Sequence, residues 1–144
     1  MPLLNYTTQI SADKTITEIQ KCLATHGAKM IVNEYDDNGF IIGLSFAIEL
    51  DGQKVGFRLP CDWRPVLQIL EEDRKVPRNK KTQEQAIRVA WMIIKDWVEA
   101  QMAIVETKMV KTEQVFLPYA VQKNGKTLYD NVIESKMLLT GGEK

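Results

Sequence analysis

The sequence predicts an α+β fold: a three- to four-stranded antiparallel sheet packed on helices, with one long helix in the C-terminal half that mediates oligomerisation. Three observations predict it. Alternating apolar residues between Lys29 and Leu59 are punctuated by Asp36-Asp37-Asn38-Gly39 and by Asp51-Gly52, turn chemistry that tight hairpins need. Apolar residues at helical spacing flank that meander on both sides. The stretch from Thr82 to Thr112 then runs 31 residues without Gly or Pro.

The first element expected is an edge strand, since Tyr6, Thr8 and Ile10 alternate with Asn5, Thr7 and Gln9. A helix follows, begun by Ser11 or by the capping-box pattern Thr15-Ile16-Thr17-Glu18, with Ala12, Ile16, Ile19 and Leu23 as its apolar stripe. Gly27 stands where such a helix stops. In the middle strand of the meander Phe40, Ile42, Leu44, Phe46 and Ile48 share one face, which Val55, Phe57 and Leu59 continue. The opposite face is small or polar, so one side of the sheet should pack on helices. Asp62 caps a short helix from Trp63 to Glu72. The run Arg74-Lys75-Val76-Pro77-Arg78-Asn79-Lys80-Lys81 places five cations in eight positions and reads as a mobile basic loop.

In the long helix Ile87, Trp91, Ile94, Val98 and Val105 form one apolar line, and Val89, Ile93, Ala100, Ala103 and Val110 a second. Only a narrow polar strip of Arg88, Lys95, Glu99 and Glu106 separates them. Such a helix would be about 46 Å long, whereas a compact chain of this size is about 37 Å across. The expectation is a second copy of the chain covering it, with Trp91, Ile94, Val98, Val105 and Met109 as the seam. Asp96, set between apolar lines, should find a cation or cap a neighbouring element across that interface. Val115-Phe116-Leu117-Pro118-Tyr119 reads as a docking segment, and Thr127 caps a last helix through Leu139 ahead of a frayed end at 140–144. The whole, 1–144, is a single domain: a sheet-and-helix core (1–76), a basic loop (77–81), the long helix (82–112) and a C-terminal docking part (113–144).

Composition limits the function classes. Nineteen basic residues balance nineteen acidic ones, so no global field draws nucleic acid or membrane, although a local patch still can. No segment approaches the ~20 apolar residues of a membrane span. The opening residues lack a signal-peptide pattern, so the expected location is the cytoplasm, with Cys22 and Cys61 reduced. Cys22 falls on the buried side of the first helix. His26, the only histidine, reads as a surface residue at a helix end, and Glu34, Asp36 and Asp37 as a solvated turn rather than a metal site. No Gly-rich phosphate loop and no paired nucleophile and base stand out. No enzyme activity, cofactor or metal is expected. Trp63, Trp91 and Trp97 read as core or subunit interface.

Two resemblances add to this reading. The order helix, three antiparallel strands, helix is similar to a double-stranded-RNA-binding domain. Phe46-Ala47-Ile48-Glu49-Leu50-Asp51-Gly52 looks like that family's second strand and turn, and Asn79-Lys80-Lys81-Thr82-Gln83-Glu84-Gln85-Ala86 like its basic helix start. The likeness implies that Lys80 and Lys81 meet phosphates across a groove. This chain departs from the pattern in an extra helix before the lysines and in an acidic first turn. More broadly, Asn5-Tyr6-Thr7-Thr8, Tyr35-Asp36, Ala90-Trp91, Lys95-Asp96-Trp97-Val98-Glu99-Ala100-Gln101, Phe116-Leu117-Pro118-Tyr119 and Thr127-Leu128-Tyr129 give a layout that resembles small uncharacterised proteins of phages and prophages of Gram-positive bacteria. That resemblance implies a phage accessory role within the host cytoplasm. The expected function is non-enzymatic nucleic-acid binding in phage DNA or RNA metabolism, with Arg74, Lys75, Arg78, Lys80, Lys81 and Arg88 as phosphate contacts. The alternative is an anti-defence inhibitor that binds a host immune protein or sequesters a signalling nucleotide.

Overall fold

The computed structural model describes residues 2–136. Its elements are α1 (Ala12–Thr25), β1 (Met30–Tyr35), β2 (Ile41–Leu50), β3 (Gln53–Leu59), α2 (Trp63–Glu72), α3 (Gln83–Glu106), α4 (Thr112–Val115) and α5 (Leu128–Ser135), with 3-10 turns at Arg78–Lys80 and Leu117–Tyr119. The class is α+β, with three antiparallel strands in the order β1-β2-β3 packed against helices.

Local chemistry sets the element ends. Ser11 caps α1 by accepting from the Lys14 amide at 3.2 Å, and Gly27 at φ +101° ends it, a backbone angle that costs glycine least. Asp36 Oδ1 accepts from the amides of Asn38 and Phe40, both at 2.9 Å, closing the first hairpin. Asp51 (φ +52°) and Gly52 (φ +80°) form the two-residue turn between β2 and β3.

Cross-strand register sorts the sheet into two faces. Leu44, Phe46, Ile48, Phe57 and Leu59 are buried on the inner one, against Ile16, Ile19 and Leu23 of α1, Trp91 and Val98 of α3, and Phe116. Phe116 is fully buried and meets Phe46 and Trp97 edge-on at 5.4 Å each. The outer face carries Met30, Val32 and Glu34 of β1, paired with Ala47, Ser45 and Gly43 of β2. It continues through Glu49 to Lys54, Gly56 and Arg58 of β3. A second cluster joins Leu70, Val76 and Ala86 beneath α2.

Several expectations change. The segment Asn5–Ile10 is not a strand: it folds into turns, with Asn5 at φ +64°, and lies against α3. Its carbonyls are satisfied by a buried side chain instead of a ladder, because Gln85 Nε2 donates to Tyr6 O and Thr8 O, both at 2.9 Å. Asp96 needs no second chain, since Asn5 Nδ2 donates to its Oδ2 at 2.8 Å. The long helix is 24 residues, not 31, and ends at Glu106 because Lys108 turns left-handed at φ +68°. At about 36 Å it fits inside its own domain.

The seam drawn from the sequence therefore does not exist as one open line. Trp91 (1% exposed) and Val98 (0%) belong to the protomer's own core, and Ile94 packs partly against it. Val105 is half-buried, and Met109, 70% exposed, lies beyond the helix end. The polar strip is wet only in part: Glu99 and Glu106 are exposed, while Arg88 and Lys95 are half-buried. Lys95 pairs with Glu18 of α1 at 3.0 Å as well as with Glu99 at 3.4 Å. Finally, α5 is capped by Thr127 and ends at Ser135, with Lys136 left-handed. The expected continuation through Leu139 and the frayed end at 140–144 lie outside the described residues.

Candidate nucleic-acid interface

The segment between α2 and α3 is more ordered in its construction than a mobile loop. Asp73 Oδ1 accepts from the Lys75 amide at 2.9 Å, and Asp73 O from the Val76 amide at 3.1 Å. Val76, only 3% exposed, plugs into the second cluster. A second turn follows, with Lys80 N donating to Pro77 O at 2.9 Å and Lys81 N to Arg78 O at 3.0 Å. Thr82 then caps α3, its hydroxyl accepting from the Gln85 amide at 3.1 Å. The signals were present in the sequence: one apolar residue inside a charged run, and an Asp two residues before a lysine.

Arg74, Lys75 and Arg78 are exposed, and Lys80 and Lys81 half-buried. Among the described residues none of the five has a carboxylate within 4.0 Å. Lys81 Nζ instead donates to the backbone carbonyl of Glu71 at 3.2 Å, at the C-terminal end of α2. Lys80 and Lys81 sit directly before the N-terminus of α3, whose first amides have no partner within the helix and whose dipole favours an anion. Glu71, Glu72 and Asp73 precede the cations in the chain and dilute their field.

Arg88 does not join this group. Its Nη2 donates to Glu84 Oε1 at 2.5 Å and its Nη1 to Gln85 Oε1 at 3.3 Å. It lines a cleft of about 290 Å³ between α1, the first hairpin and α3, together with Ser11, Asp13, Phe40, Glu84 and Trp91. With Asp13 and Glu84 beside a single guanidinium, that cleft offers little to an anion. Arg88 offsets the charge of Glu84 in the first turn of α3.

His26 and the thiols form the other chemistry-bearing group. His26 Nδ1 lies 2.7 Å from Cys22 O and Nε2 2.7 Å from Glu106 Oε1. Both partners are acceptors, so the geometry favours the imidazolium, which can donate from both ring nitrogens. The Cys22 carbonyl, followed by the Glu106 carboxylate, holds its pKa above the usual value near 6.5. His26 thus staples the end of α1 to the last residue of α3, where the sequence suggested a surface residue. Cys22 Sγ is 4.0 Å from Nδ1, but burial, with Glu99 and Glu106, pushes that thiol up. Burial, assisted by Asp62, pushes Cys61 up to about 12. Neither thiol is activated as a nucleophile. Among the described residues no group of three or more His, Cys, Asp or Glu is placed to hold a metal ion. No helix there is long and apolar enough to cross a membrane.

No family model, curated protein or solved structure matches this chain.

Proposed function

We propose that the protein binds nucleic acid without catalysing a reaction on it, by holding the phosphate backbone at the turn before α3. The observation that carries this reading is the placement of Lys80 and Lys81. They stand at the positive end of a 24-residue helix with no carboxylate within 4.0 Å among the described residues, while Arg88 offsets Glu84 inside the first helical turn. Two lysines and free helix amides recognise a phosphate by charge and by hydrogen bonds. Arg74, Lys75 and Arg78 extend the contact along a strand of phosphates. Nothing in this arrangement reads base edges, so binding depends on salt far more than on sequence.

The test is a fluorescence anisotropy titration of single-stranded and duplex ligands at several salt concentrations. Replacing Lys80 and Lys81 together by alanine should weaken binding to all sequences alike. It should also flatten the logarithmic salt slope by about 0.9 per lost contact on duplex DNA or ~0.7 on single strands. The fold should persist, because the double change removes one side-chain hydrogen bond, from Lys81 to Glu71 O, worth about 1 kcal/mol. If the unmodified protein binds neither ligand at low salt, the reading fails and a protein or nucleotide target replaces it.

A further inference from the structure

We infer that the cleft between α1, the first hairpin and α3 takes a guanine base whose phosphate is held at the basic turn. The inference deepens the nucleic-acid reading and rests on it for the phosphate. The cleft, of about 290 Å³, is floored by Ile16, Ile87 and Trp91 and bordered by Phe40. The floor residues are buried, whereas Phe40 is 39% exposed. Small-molecule sites begin near ~300 Å³, so this one suits a single flat base better than a larger ligand. An aromatic ring beside an apolar floor is what a base taken out of its stack packs against.

The polar groups on the rim decide which base. Asp13 stands in the first turn of α1, and among the described residues no cation lies within 4.0 Å of its carboxylate. Glu84 is claimed by Arg88. Arg88 gives one bond to Glu84 and one to Gln85. A guanidinium has five N–H donors, so it keeps some for a ligand. A carboxylate only accepts, and guanine is the base that sets two donors side by side, N1–H and N2–H. Adenine and cytosine put a ring acceptor next to the donor on that edge, and thymine flanks its N–H with two carbonyls. Each of these sets an acceptor against Asp13. Guanine also carries O6 and N7, the acceptor pair that arginine reads.

The phosphate follows from the chain. Glu84 lines the cleft three residues after Lys81, at most about 11 Å of backbone. A base seated there keeps a phosphate near Lys80, Lys81 and the first amides of α3. The turn supplies the salt-dependent affinity, and the cleft adds the choice of base. A single strand and a free nucleotide both present this guanine edge, which a duplex covers with cytosine.

Two titrations test the inference and separate those sources. Fluorescence anisotropy compares a short thymidine strand carrying one central guanine with the same strand carrying adenine. Calorimetry compares guanosine monophosphate with adenosine monophosphate. The guanine strand should bind at least about tenfold more tightly than the adenine strand. Asp13→Asn replaces one acceptor oxygen by a donor and should erase that ratio. Replacing Lys80 and Lys81 by alanine should weaken both strands and keep the ratio, which separates cleft from turn. Strand binding with a ratio of one overturns the inference and leaves the nucleic-acid reading standing. A guanine preference that survives Asp13→Asn overturns it too. Preference for guanosine monophosphate with no strand binding supports the cleft and overturns the strand reading. No binding in either titration overturns both.

Discussion

Between Gln85 and Met92, α3 is enclosed by its own chain on several sides. Ile87 and Trp91 join α1 and the sheet, Ala86 sits under α2 with Leu70 and Val76, and Gln85 holds the N-terminal turns. From Ala103 onward the same helix is open. Ala103, Ile104 and Glu106 are exposed, and a firm tie there is the bond from Glu106 to His26. Both ends are rich in apolar residues, so hydrophobicity alone did not decide which became core. The difference came from which parts of the chain arrive beside each turn of the helix, and coverage by sequence-distant segments is not written into the helix itself.

That contrast can be broken at its strong end. Trp91→Ala removes a fully enclosed ring and should destabilise the protein by about 3–5 kcal/mol, read as a fall in the urea midpoint with an unchanged slope. A loss below ~1 kcal/mol would mean that this end is no better packed than the other. Gln85→Leu keeps the volume but leaves the Tyr6 and Thr8 carbonyls without their donor. Its expected cost is about 1–3 kcal/mol, with faster proteolysis confined to the first ten residues. Unchanged cleavage there would show that the amide is not what holds the segment.

The weak end gives the smallest effect, and one that depends on pH. The His26 pKa is raised in the folded state, so the stability it contributes is full below about 6.5 and is lost as pH rises through the folded value. Glu106 is 67% exposed, which screens the pair and keeps its worth under about 1 kcal/mol. The gap in stability between the unmodified protein and Glu106→Gln should therefore be widest near pH ~6 and close above the folded pKa of His26. A gap that stays constant across that range would remove the imidazolium from the account.

Much of the fold was legible where chemistry is local. The turn residues Asp36, Gly39, Asp51 and Gly52 fix hairpins through a few neighbouring atoms, and Ser11, Asp62, Thr82 and Thr127 cap helices within three residues of themselves. The end of α3 was not legible, because Lys108 takes a left-handed angle without the glycine that usually announces one. Nor were the partners of Asp96, Gln85 and His26, which lie 91, 79 and 80 residues away in the chain. A polar residue between apolar lines announces that it needs a partner, and the sequence does not say which. The five cations of the turn were visible as a cluster. Their division from Arg88 was not, since a helical position alone does not show that Glu84, one turn earlier, claims it.

The hold of Gln85 and Asp96 on the first residues also orders events during folding. Asn5, Tyr6 and Thr8 leave the ribosome ahead of their partners, which emerge only after the whole sheet and α2 have been made. Closing a loop of 91 residues costs about 4 kcal/mol of chain entropy, which two or three hydrogen bonds cannot offset until α3 is already seated. Residues 5–8 are thus fastened only after α3 is in place, a latch set on the helix it closes over.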